Sequence, residues 1–548
     1  MYSPGKASRA VGESHNRIPD TRPVSGLCVT CIEECLAGMC EVKLSGIRGP
    51  EAIYPSPFGK LTAGSQKDYP VSWGDFQILG TAVGAHGVKE DSDEATFPNV
   101  VVETVLGRNH RYPGIKINFP VIVPGLGSTD VARTNWDGLA MGAALYGIPI
   151  TVGENVVGMD PEASILDRRV IESPALRHRV EEYRKWQKYN NGHGAVIIQE
   201  NVEDNRLGVL EYAIRELGVE AVELKWGQGA KDIGGEVKIE RIEKARMLKD
   251  RGYIVLPDPT DPEVVIACDK KLFAEFERHS RIGMVREDAF AKRVEELRKA
   301  GAHYLFLKTG AYRFADLARA LVYSSKYGID VLTIDAAGGG TGMSPWRMMC
   351  EWGVPPIELF AKTYEIAEDI HRKGKHLPDI VFAGGFSLED HVSKGLAFGE
   401  PYVKAIGMAS APLTTVMSGR FIAREARAGN LPKNVERFGK NLEQIFYSSL
   451  EVQKLIKDEF QSMAAGNDHK DETLGAALSL FSYLMRVSQG TKQFMTGARK
   501  FNVNNPGERL DRGDLVALTE RAAKISGIQD VMDHDRKEVE KIISGLQE

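Results

Sequence analysis

The sequence lacks any long uninterrupted apolar run, and no stretch approaches the ~18 apolar residues that a membrane-spanning helix needs. It also lacks an excess of positive charge, because 75 Asp and Glu outnumber 70 Lys and Arg and the formal net charge is −5. Its first residues contain no apolar core of a secretory signal. These absences argue against a membrane span and a nucleic-acid partner, and they predict a cytoplasmic protein.

Cysteine is scarce, and four of the six cysteines fall within 13 residues of one another. Cys28, Cys31, Cys35 and Cys40 form a Cys-x2-Cys-x3-Cys-x4-Cys pattern. In a cytoplasmic chain, such a cluster favours metal or cluster ligation over disulfide bonds. We predict a [4Fe–4S] cluster, with Zn²⁺ or reduced structural thiols as the alternatives. No His-x3–5-His pair follows, which excludes the zinc fingers that need histidine.

From residue 120 onwards, short apolar runs alternate regularly with segments of helical periodicity. The runs are Val121–Val123, Ile148–Val152, Ala195–Gln199, Ala221–Leu224, Tyr304–Leu307, Val331–Ile334, Ile380–Phe382 and Val403–Ile406. The alternation predicts a parallel sheet, and eight such units predict a closed (β/α)8 TIM barrel. An open doubly wound sheet is the alternative, which is disfavoured because no Gly-x-Gly-x-x-Gly motif opens a strand–helix unit.

These patterns divide the chain into three predicted regions. An N-terminal extension with the cysteine cluster covers residues 1–115, the barrel covers 116–420, and a helical region rich in Lys, Glu, Arg and Leu covers 421–548. The gap between the fourth and fifth apolar runs is long and contains a helix-like stretch at 238–251. It predicts an inserted loop or lid.

A glycine-rich segment, Asp-Ala-Ala-Gly-Gly-Gly-Thr-Gly-Met-Ser-Pro at 335–345, directly follows the sixth run. Glycines let main-chain N–H groups approach a ligand without a Cβ in the way, although a flexible loop is the alternative. Glycine turns also follow the seventh and eighth runs, where barrels often bind phosphate. Together they predict a cradle for a nucleotide-like cofactor such as FMN. The candidate cofactor-binding residues there are Gly339, Gly340, Thr341, Gly342, Gly384, Gly385, Gly407 and Met408.

Charged and amide side chains follow other predicted strands, at the end of the barrel where active sites lie. Lys308 would place a cation beside the cofactor, and Lys225, Gln228 and Lys231 would suit a dicarboxylate substrate. Glu154, after the second run, would exchange a proton. The alternatives are a surface lysine for Lys308, a solvated basic turn for Lys225, Gln228 and Lys231, and a salt-bridge carboxylate for Glu154.

These motifs resemble the FMN-binding synthase domain of glutamate synthase and its stand-alone relatives, including N-methylglutamate synthase-like proteins. The family's Gly-Gly-Thr-Gly-Ala-Ser-Pro resembles Gly339–Pro345, and its Lys-x-x-Gln-Gly-Ala-Lys is intact at Lys225–Lys231. Its Thr-Gly-Glu turn is similar to Val152-Gly153-Glu154. The resemblance covers about residues 115–420 of the chain.

The resemblance implies an FMN-containing barrel that reductively aminates 2-oxoglutarate with ammonia or an amine, with FMN supplying the hydride. Lys225, Gln228 and Lys231 would bind the 2-oxo acid or the flavin, and Glu154 would handle ammonia or a proton. The loops after strands six to eight would hold FMN. Because the sequence shows no nicotinamide-binding motif, we expect electrons from a partner protein or subunit. We also expect the protein to be an oligomer.

The sequence departs from the family pattern in three places. Because its first cysteine is Cys28, we expect no glutamine amidotransferase domain, and the nitrogen would come from free ammonia, an amine or another subunit. Residues 404–460 contain no cysteine where the family carries a [3Fe–4S] motif, and the N-terminal quartet is the hypothetical substitute. Ala336-Ala337-Gly338 stands where the family has His-Asp-Gly. The alternatives are therefore a barrel FMN oxidoreductase with a different substrate, or a non-catalytic flavin-binding subunit of a complex.

Overall fold

The computed structural model describes most of the chain after residue 68. The described residues are 69–89, 91–227, 229, 233, 235–273, 275–337, 339, 345, 348, 351–465 and 469–547. The quartet of Cys28, Cys31, Cys35 and Cys40 lies outside them, so the cluster stays a prediction. Within the described ranges, no group of His, Cys, Asp or Glu side chains is arranged to hold a metal ion.

Eight parallel strands close into a barrel in which each strand pairs with its neighbours in chain order, and the last pairs with the first. The strands are β1 (Val121–Leu126), β2 (Ile150–Val152), β3 (Val196–Glu200), β4 (Ala221–Lys225), β5 (Tyr304–Thr309), β6 (Val331–Asp335), β7 (Asp379–Ala383) and β8 (Val403–Gly407). All eight apolar runs are barrel strands. The predicted (β/α)8 fold is therefore confirmed.

A main helix follows each strand and packs on the outside of the barrel. These helices are α1 (Asp130–Tyr146), α2 (Pro174–Gln187), α3 (Val209–Arg215), α4 (Glu287–Ala300), α5 (Phe314–Tyr327), α6 (Pro356–Arg372), α7 (Glu389–Gly399) and α8 (Ser410–Ala428). Their apolar residues recur at helical spacing: α5 buries Leu317, Ala320, Leu321 and Ser324. The sequence also sets helix ends, since the Thr129 side chain accepts a hydrogen bond from Ala132 N at the start of α1.

Strand residues alternate between the helix layer and the barrel interior, as the pleat requires. In β4, Val222 and Leu224 join the large core shared with the helices, whereas Ala221 joins a separate cluster inside the barrel. Because Glu223 and Lys225 follow Ala221 at every second position, their side chains lie on the same face of the strand as that of Ala221. They therefore point towards the barrel axis.

An antiparallel hairpin, Thr104–Leu106 paired with Ile115–Ile117, closes the amino-terminal end of the barrel. Leu106, Ile115 and Ile117 share a buried cluster with the first residues of β4, β5 and β6. That end is therefore sealed by side chains, which leaves the carboxyl end of the strands for a ligand site.

The segment between β4 and β5 folds into a small subdomain with its own apolar core. Its three antiparallel strands are Gly235–Ile239, Ile254–Leu256 and Phe276–Ser280, and its helices are Ile242–Asp250 and Pro262–Asp269. The core of this inserted subdomain includes Phe276 and Leu248 and continues onto Met159, which follows β2. The predicted inserted loop is thus a folded unit seated beside the β2 turn, and the helix expected at 238–251 begins at Ile242.

Helices also follow the barrel in the C-terminal part of the chain. The longest are α9 (Ser449–Ala464) and α10 (Lys470–Gly497). Small residues let α10 approach the barrel: a Cβ on Gly138 of α1 would lie 2.4 Å from Ala476 Cβ, and one on Gly419 of α8 would lie 2.4 Å from Gly475 O. No helix among the described residues is both long and apolar enough to cross a membrane.

Several shorter elements complete the fold. Strand Leu515–Ala517 pairs antiparallel with Phe76–Ile78, so the two ends of the described chain meet on one side of the barrel. The remaining hairpin strands and helices are Ser164–Leu166, Arg169–Glu172, Val156–Met159, Val202–Leu207, Lys433–Glu436, Leu442–Ile445, Glu520–Ser526 and Arg536–Ser544. Short 3-10 turns cover Trp73–Asp75, Phe97–Asn99, Lys188–Asn190, Arg512–Asp514 and Gly545–Gln547.

Candidate active site

Two residues singled out in the sequence, Glu154 and Lys225, form an ion pair at the carboxyl end of the barrel. Glu154 follows β2, Lys225 ends β4, and Lys225 Nζ lies 2.9 Å from Glu154 Oε1. Burial alone would raise the pKa of Glu154, but the charges of Lys225 and Lys308 outweigh it and lower that pKa to about 2. Glu154 is therefore a carboxylate at neutral pH, able to accept a hydrogen bond from a cation.

A second ion pair joins the next part of the barrel mouth. Lys308 is 5% exposed, and its Nζ lies 2.9 Å from Asp335 Oδ2 at the end of β6. Burial would lower the pKa of Lys308, but Asp335 and Glu223 raise it above its usual value. Lys308 thus keeps its positive charge inside the barrel.

Glu223 and Gln199 form a third polar contact, which sequence analysis missed. Gln199 on β3 donates an amide hydrogen bond from Nε2 to Glu223 Oε1 on β4. Burial raises the pKa of Glu223, opposed by the nearby charge of Lys308. Both residues lie inside or beside predicted apolar runs. The feature of the sequence that could have identified Glu223 is its charge within an otherwise apolar strand.

Several buried polar atoms in the barrel strands have no hydrogen-bond partner among the described residues. They include Thr151 Oγ1 on β2, Gln199 Oε1 on β3 and Thr333 Oγ1 on β6. By strand parity all three side chains point into the barrel. Buried polar groups are normally satisfied, so their arrangement fits a polar ligand at the barrel centre.

The glycine turns after β6 and β7 pack tightly against each other. A Cβ on Gly339 would lie 2.6 Å from Asp335 Oδ1, and one on Gly384 would lie 2.7 Å from Ala336 O. Gly384 and Gly385 also have positive φ angles of 105° and 90°, which side chains rarely adopt. Gly340, Thr341 and Gly342 lie outside the described residues.

The turn after β8 is more enclosed. A Cβ on Gly407 would lie 2.9 Å from Ala383 Cβ, so the glycine lets β7 and β8 approach closely. The Met408 amide donates to Ile122 O at 3.0 Å, and its side chain is buried. Because that amide is already hydrogen-bonded within the barrel, Met408 would contribute to cofactor binding by holding the turn in place.

The Lys225–Lys231 motif runs towards the glycine-rich segment. A Cβ on Gly229 would lie 1.9 Å from Ala336 O and 3.2 Å from Asp335 Oδ1, so this part of the motif lies against the end of β6. Gln228 and Lys231 lie outside the described residues, and their roles stay predictions.

The turn that carries Glu154 is fixed by groups that sequence analysis did not identify. Asp204 Oδ2 accepts the Asn155 N–H at 2.9 Å, and Asn155 has a positive φ of 64°. Burial raises the pKa of Asp204 to about 7. Tyr253 of the inserted subdomain donates to Asn155 Oδ1 at 3.2 Å. The subdomain is therefore hydrogen-bonded to the turn next to Glu154.

Arg278 is a buried cation in this inserted subdomain. It is 1% exposed, its guanidinium stacks 5.0 Å from the Tyr253 ring, and within the described part of the chain Nε and Nη1 have no hydrogen-bond partner. A buried guanidinium with two unpartnered nitrogens is costly unless an anion binds it. Sequence analysis missed Arg278 because it lies in a segment without a recognised motif.

Comparison with known families identifies part of this barrel. Residues 278–419 match the family model described as a conserved region in glutamate synthase. This part of the chain is similar to the conserved region of glutamate synthase. This region contains Arg278, Lys308, Asp335 and the glycine turns after β6, β7 and β8. This match agrees with the family that the sequence motifs resemble. Comparison with curated protein sequences gave no significant match.

Comparison with solved structures gave matches of low sequence identity. An oxidized active mutant of (S)-mandelate dehydrogenase is 13% identical, with a TM-score of 0.41, 81% of this chain covered and 88% of that chain. The flavin-binding domain of baker's yeast flavocytochrome b2 is 12% identical, with a TM-score of 0.40 and coverage of 82% and 78%. An IMP dehydrogenase/GMP reductase-like protein from Corynebacterium glutamicum is 13% identical, with a TM-score of 0.36 and coverage of 63% and 73%.

Proposed function

We propose that this protein is an FMN-dependent oxidoreductase that reductively aminates 2-oxoglutarate with ammonia or an amine. With ammonia, 2-oxoglutarate, two electrons and two protons give glutamate and water, and a partner protein or subunit supplies the electrons. The observation that carries the proposal is the meeting of the Glu154–Lys225 and Lys308–Asp335 pairs at the open end of a barrel with the glutamate synthase conserved region.

The described residues fit FMN at this position. Thr151 Oγ1, Gln199 Oε1 and Thr333 Oγ1 are buried, unpartnered polar atoms that the donors and acceptors of a flavin ring would satisfy. Lys308 offers a buried cation, which favours negative charge on a reduced ring. The turns at Gly384 and Gly407 would hold the phosphate. FMN would supply the hydride, and the protein would supply position, charge and protons.

Two cations suit the two carboxylates of the substrate. Lys225 stands beside Glu154 at the barrel mouth, and Arg278 of the inserted subdomain stacks on Tyr253, which is hydrogen-bonded to Asn155 in the same turn. A guanidinium binds a carboxylate in a bidentate manner, while a lysine acts as a point charge. Gln228 and Lys231 are assigned to the same substrate through the family resemblance.

Glu154 is suited to the nitrogen donor. Because its pKa is lowered to about 2, it is ionised and would attract an ammonium or alkylammonium ion to the barrel mouth. The low pKa makes Glu154 a weak base, so its role would be to bind and orient the cationic nitrogen donor rather than to store its proton. Lys225, held 2.9 Å away, would stabilise that carboxylate.

A second candidate is an FMN oxidoreductase that acts on another substrate. Ala336 and Ala337 are fully buried after β6, where the family pattern has His-Asp. Apolar methyl groups there would favour a substrate with less polar character next to the flavin. In either case, the N-terminal cysteine quartet is proposed to hold a [4Fe–4S] cluster that relays electrons.

The test is reoxidation of the flavin under anaerobic conditions. The purified protein is photoreduced, and then 2-oxoglutarate, ammonium or both are added. We expect flavin bands that bleach on reduction and return only with both substrates. A flavin that stays reduced with both, and with methylamine in place of ammonium, would contradict the proposed reaction. Protein without flavin that also fails to take up added FMN would contradict the cofactor.

A matched pair of arginine variants tests the substrate site. Arg278→Met should raise the 2-oxoglutarate concentration needed for half-maximal reoxidation by about 10- to 100-fold, since a hydrogen bond to a charged group contributes about 1.5–3 kcal/mol. Arg286→Met makes the same chemical change at an exposed residue paired with Asp288 and should have no effect. Equal behaviour of the two variants would remove Arg278 from the site.

A further inference from the structure

Helix α10 contacts the turns after β7 and β8, although it lies outside the glutamate synthase conserved region. Tyr483, Arg486, Gly490 and Thr491 recur at helical spacing and therefore share one face of α10. Each of them meets a residue of the β7 or β8 connection or of α7. All the contacts described below involve this face of α10.

The contacts with the start of α7 are close. Arg486 Nη2 lies 3.2 Å from Glu389 Oε1. A Cβ on Gly490 would lie 2.5 Å from Glu389 Cγ, so only glycine lets the glutamate approach the helix. Further along, Ser393 Oγ donates to Thr491 Oγ1 at 3.3 Å. These contacts hold α7, and with it the turn after β7, against α10.

Tyr483 joins two turns at once. Its hydroxyl donates to Ser387 O, two residues beyond Gly385, and lies 3.7 Å from Met408 Sδ, next to Gly407. Burial raises the pKa of Tyr483, so the hydroxyl stays a donor at physiological pH. The backbone of Met408 is already fixed by its bond to Ile122 O. The phenol therefore ties the glycine turn after β7, whose φ angles are positive, to the turn after β8.

We propose that Tyr483 is a positioning residue for the cofactor phosphate, setting the spacing between the Gly384–Gly385 and Gly407 turns. This inference rests on the proposed FMN function. Loss of the hydroxyl would leave Ser387 O without its donor and would free the β7 turn to relax before the phosphate binds. The cost would appear as weaker and faster-dissociating FMN, since ordering of the turn would then accompany binding.

The matched control is Tyr146 on α1. Its hydroxyl also donates to a main-chain carbonyl of α10, Leu484 O at 3.3 Å, but that bond lies between α1 and α10 and touches neither glycine turn. Tyr483→Phe and Tyr146→Phe thus each remove a tyrosine hydrogen bond to a main-chain carbonyl. In the first the donor lies on α10, and in the second the acceptor does. Only Tyr483→Phe removes one that reaches the cradle.

The experiment measures FMN affinity and dissociation rate for wild type and both variants, together with thermal unfolding of the apoproteins. Tyr483→Phe should raise the FMN Kd about threefold to tenfold, as expected for one hydrogen bond, while Tyr146→Phe should leave it unchanged. The two apoproteins should lose similar amounts of stability. Equal FMN affinity in wild type and Tyr483→Phe, or an equal loss in both variants, would overturn the inference. Wild type that binds no FMN would overturn the proposed function and this inference with it.

Discussion

At the scale of single residues, two buried carboxyls in neighbouring turns have opposite pKa shifts. Glu154 and Asp204 are both enclosed by protein, yet the pKa of Glu154 is lowered to about 2 and that of Asp204 is raised to about 7. Burial acts in the same direction on both. The difference arises because Glu154 faces the cation of Lys225, whereas the backbone N–H bonds to Asp204 lower its pKa too little to offset burial and the nearby charge of Glu154.

Replacement of Glu154 tests its role with the nitrogen donor. Glu154→Gln should lower the rate of flavin reoxidation about 100-fold or more, because it removes the negative charge that binds and orients the nitrogen donor. FMN binding should be unchanged. Because the pKa of Glu154 is about 2, its protonation should not limit the wild-type rate between pH 5 and 9. An exposed control, Glu295→Gln, should behave as wild type; an equal rate in Glu154→Gln would exclude the assigned role.

The raised pKa of Asp204 should appear in the pH dependence of stability. The folded protein keeps a proton up to about pH 7 that the unfolded chain loses near its ordinary value of 3.8. The free energy of unfolding should therefore fall as the pH rises from about 4 to about 7. Asp204→Asn keeps an acceptor for the Asn155 N–H but cannot ionise, so its unfolding temperature should fall less across this range. Parallel pH profiles for the two proteins would contradict the shift.

Sequence analysis found the site residues that motifs mark and missed those that only the fold brings together. Glu154, Lys225 and Lys308 were selected because they follow strands, and all three lie at the barrel mouth. Asp335 stands at the start of the glycine-rich segment in the sequence. The sequence does not show that it pairs with Lys308, which lies on the neighbouring strand β5. Arg278 belongs to the inserted subdomain, whose position over the β2 turn no local pattern indicates.

At the scale of elements, the closest helix packing involves glycine. A Cβ on Gly475 of α10 would lie 2.5 Å from Ala423 Cβ and 2.9 Å from Gly419 O, both on α8. The backbones of α8 and α10 therefore touch with no side chain between them. Such an interface is sensitive to a single methyl group, because two rigid helices must separate to admit it.

Two glycine variants on α10 measure this sensitivity. Gly475→Ala should destabilise the protein by about 1–3 kcal/mol through overpacking against α8. Gly497→Ala, at the end of the same helix, meets nothing within 4 Å and should change the free energy of unfolding by less than about 1 kcal/mol. Chemical denaturation of both variants gives the comparison. Equal stability would show that the helices adjust without cost.

The barrel strands were predictable and the inserted subdomain was not, for a physical reason. Strands buried on both faces read as continuous apolar runs, such as Val331–Ile334. In the subdomain one sheet face meets solvent, so Phe276–Ser280 alternates buried and half-buried residues and includes Glu, Arg and His. Its strands are held by pairing between segments about 40 residues apart, which local periodicity does not show.

At the scale of the whole molecule, segments near both ends of the described residues pair beside the barrel. The Phe76–Ile78 strand pairs with Leu515–Ala517, more than 400 residues away in sequence, and α10 spans the turns after β7 and β8. Pairing across such a distance follows from the closed barrel and could not be predicted from either segment. The (β/α)8 architecture itself was predictable because eight strand–helix units repeat in order.

The cysteine quartet gives a prediction about the whole electron path. Protein purified without oxygen should contain iron and sulfide, and Cys31→Ser should lose both while it retains FMN. Cys268→Ser, at a cysteine far from the quartet in sequence, should keep the iron. Zinc in place of iron, or neither metal in the anaerobic wild type, would show that the quartet does not relay electrons.

The most direct test of the central claim is the fate of the nitrogen. The photoreduced protein is mixed anaerobically with 2-oxoglutarate and ¹⁵N-ammonium or ¹⁵N-methylamine, and the product is analysed by mass spectrometry. Reductive amination predicts ¹⁵N-glutamate or ¹⁵N-methylglutamate in proportion to the flavin reoxidised, with formation about 100-fold slower or more in Glu154→Gln. Reoxidation without a labelled amino acid, or no reoxidation with either nitrogen donor, would contradict the account.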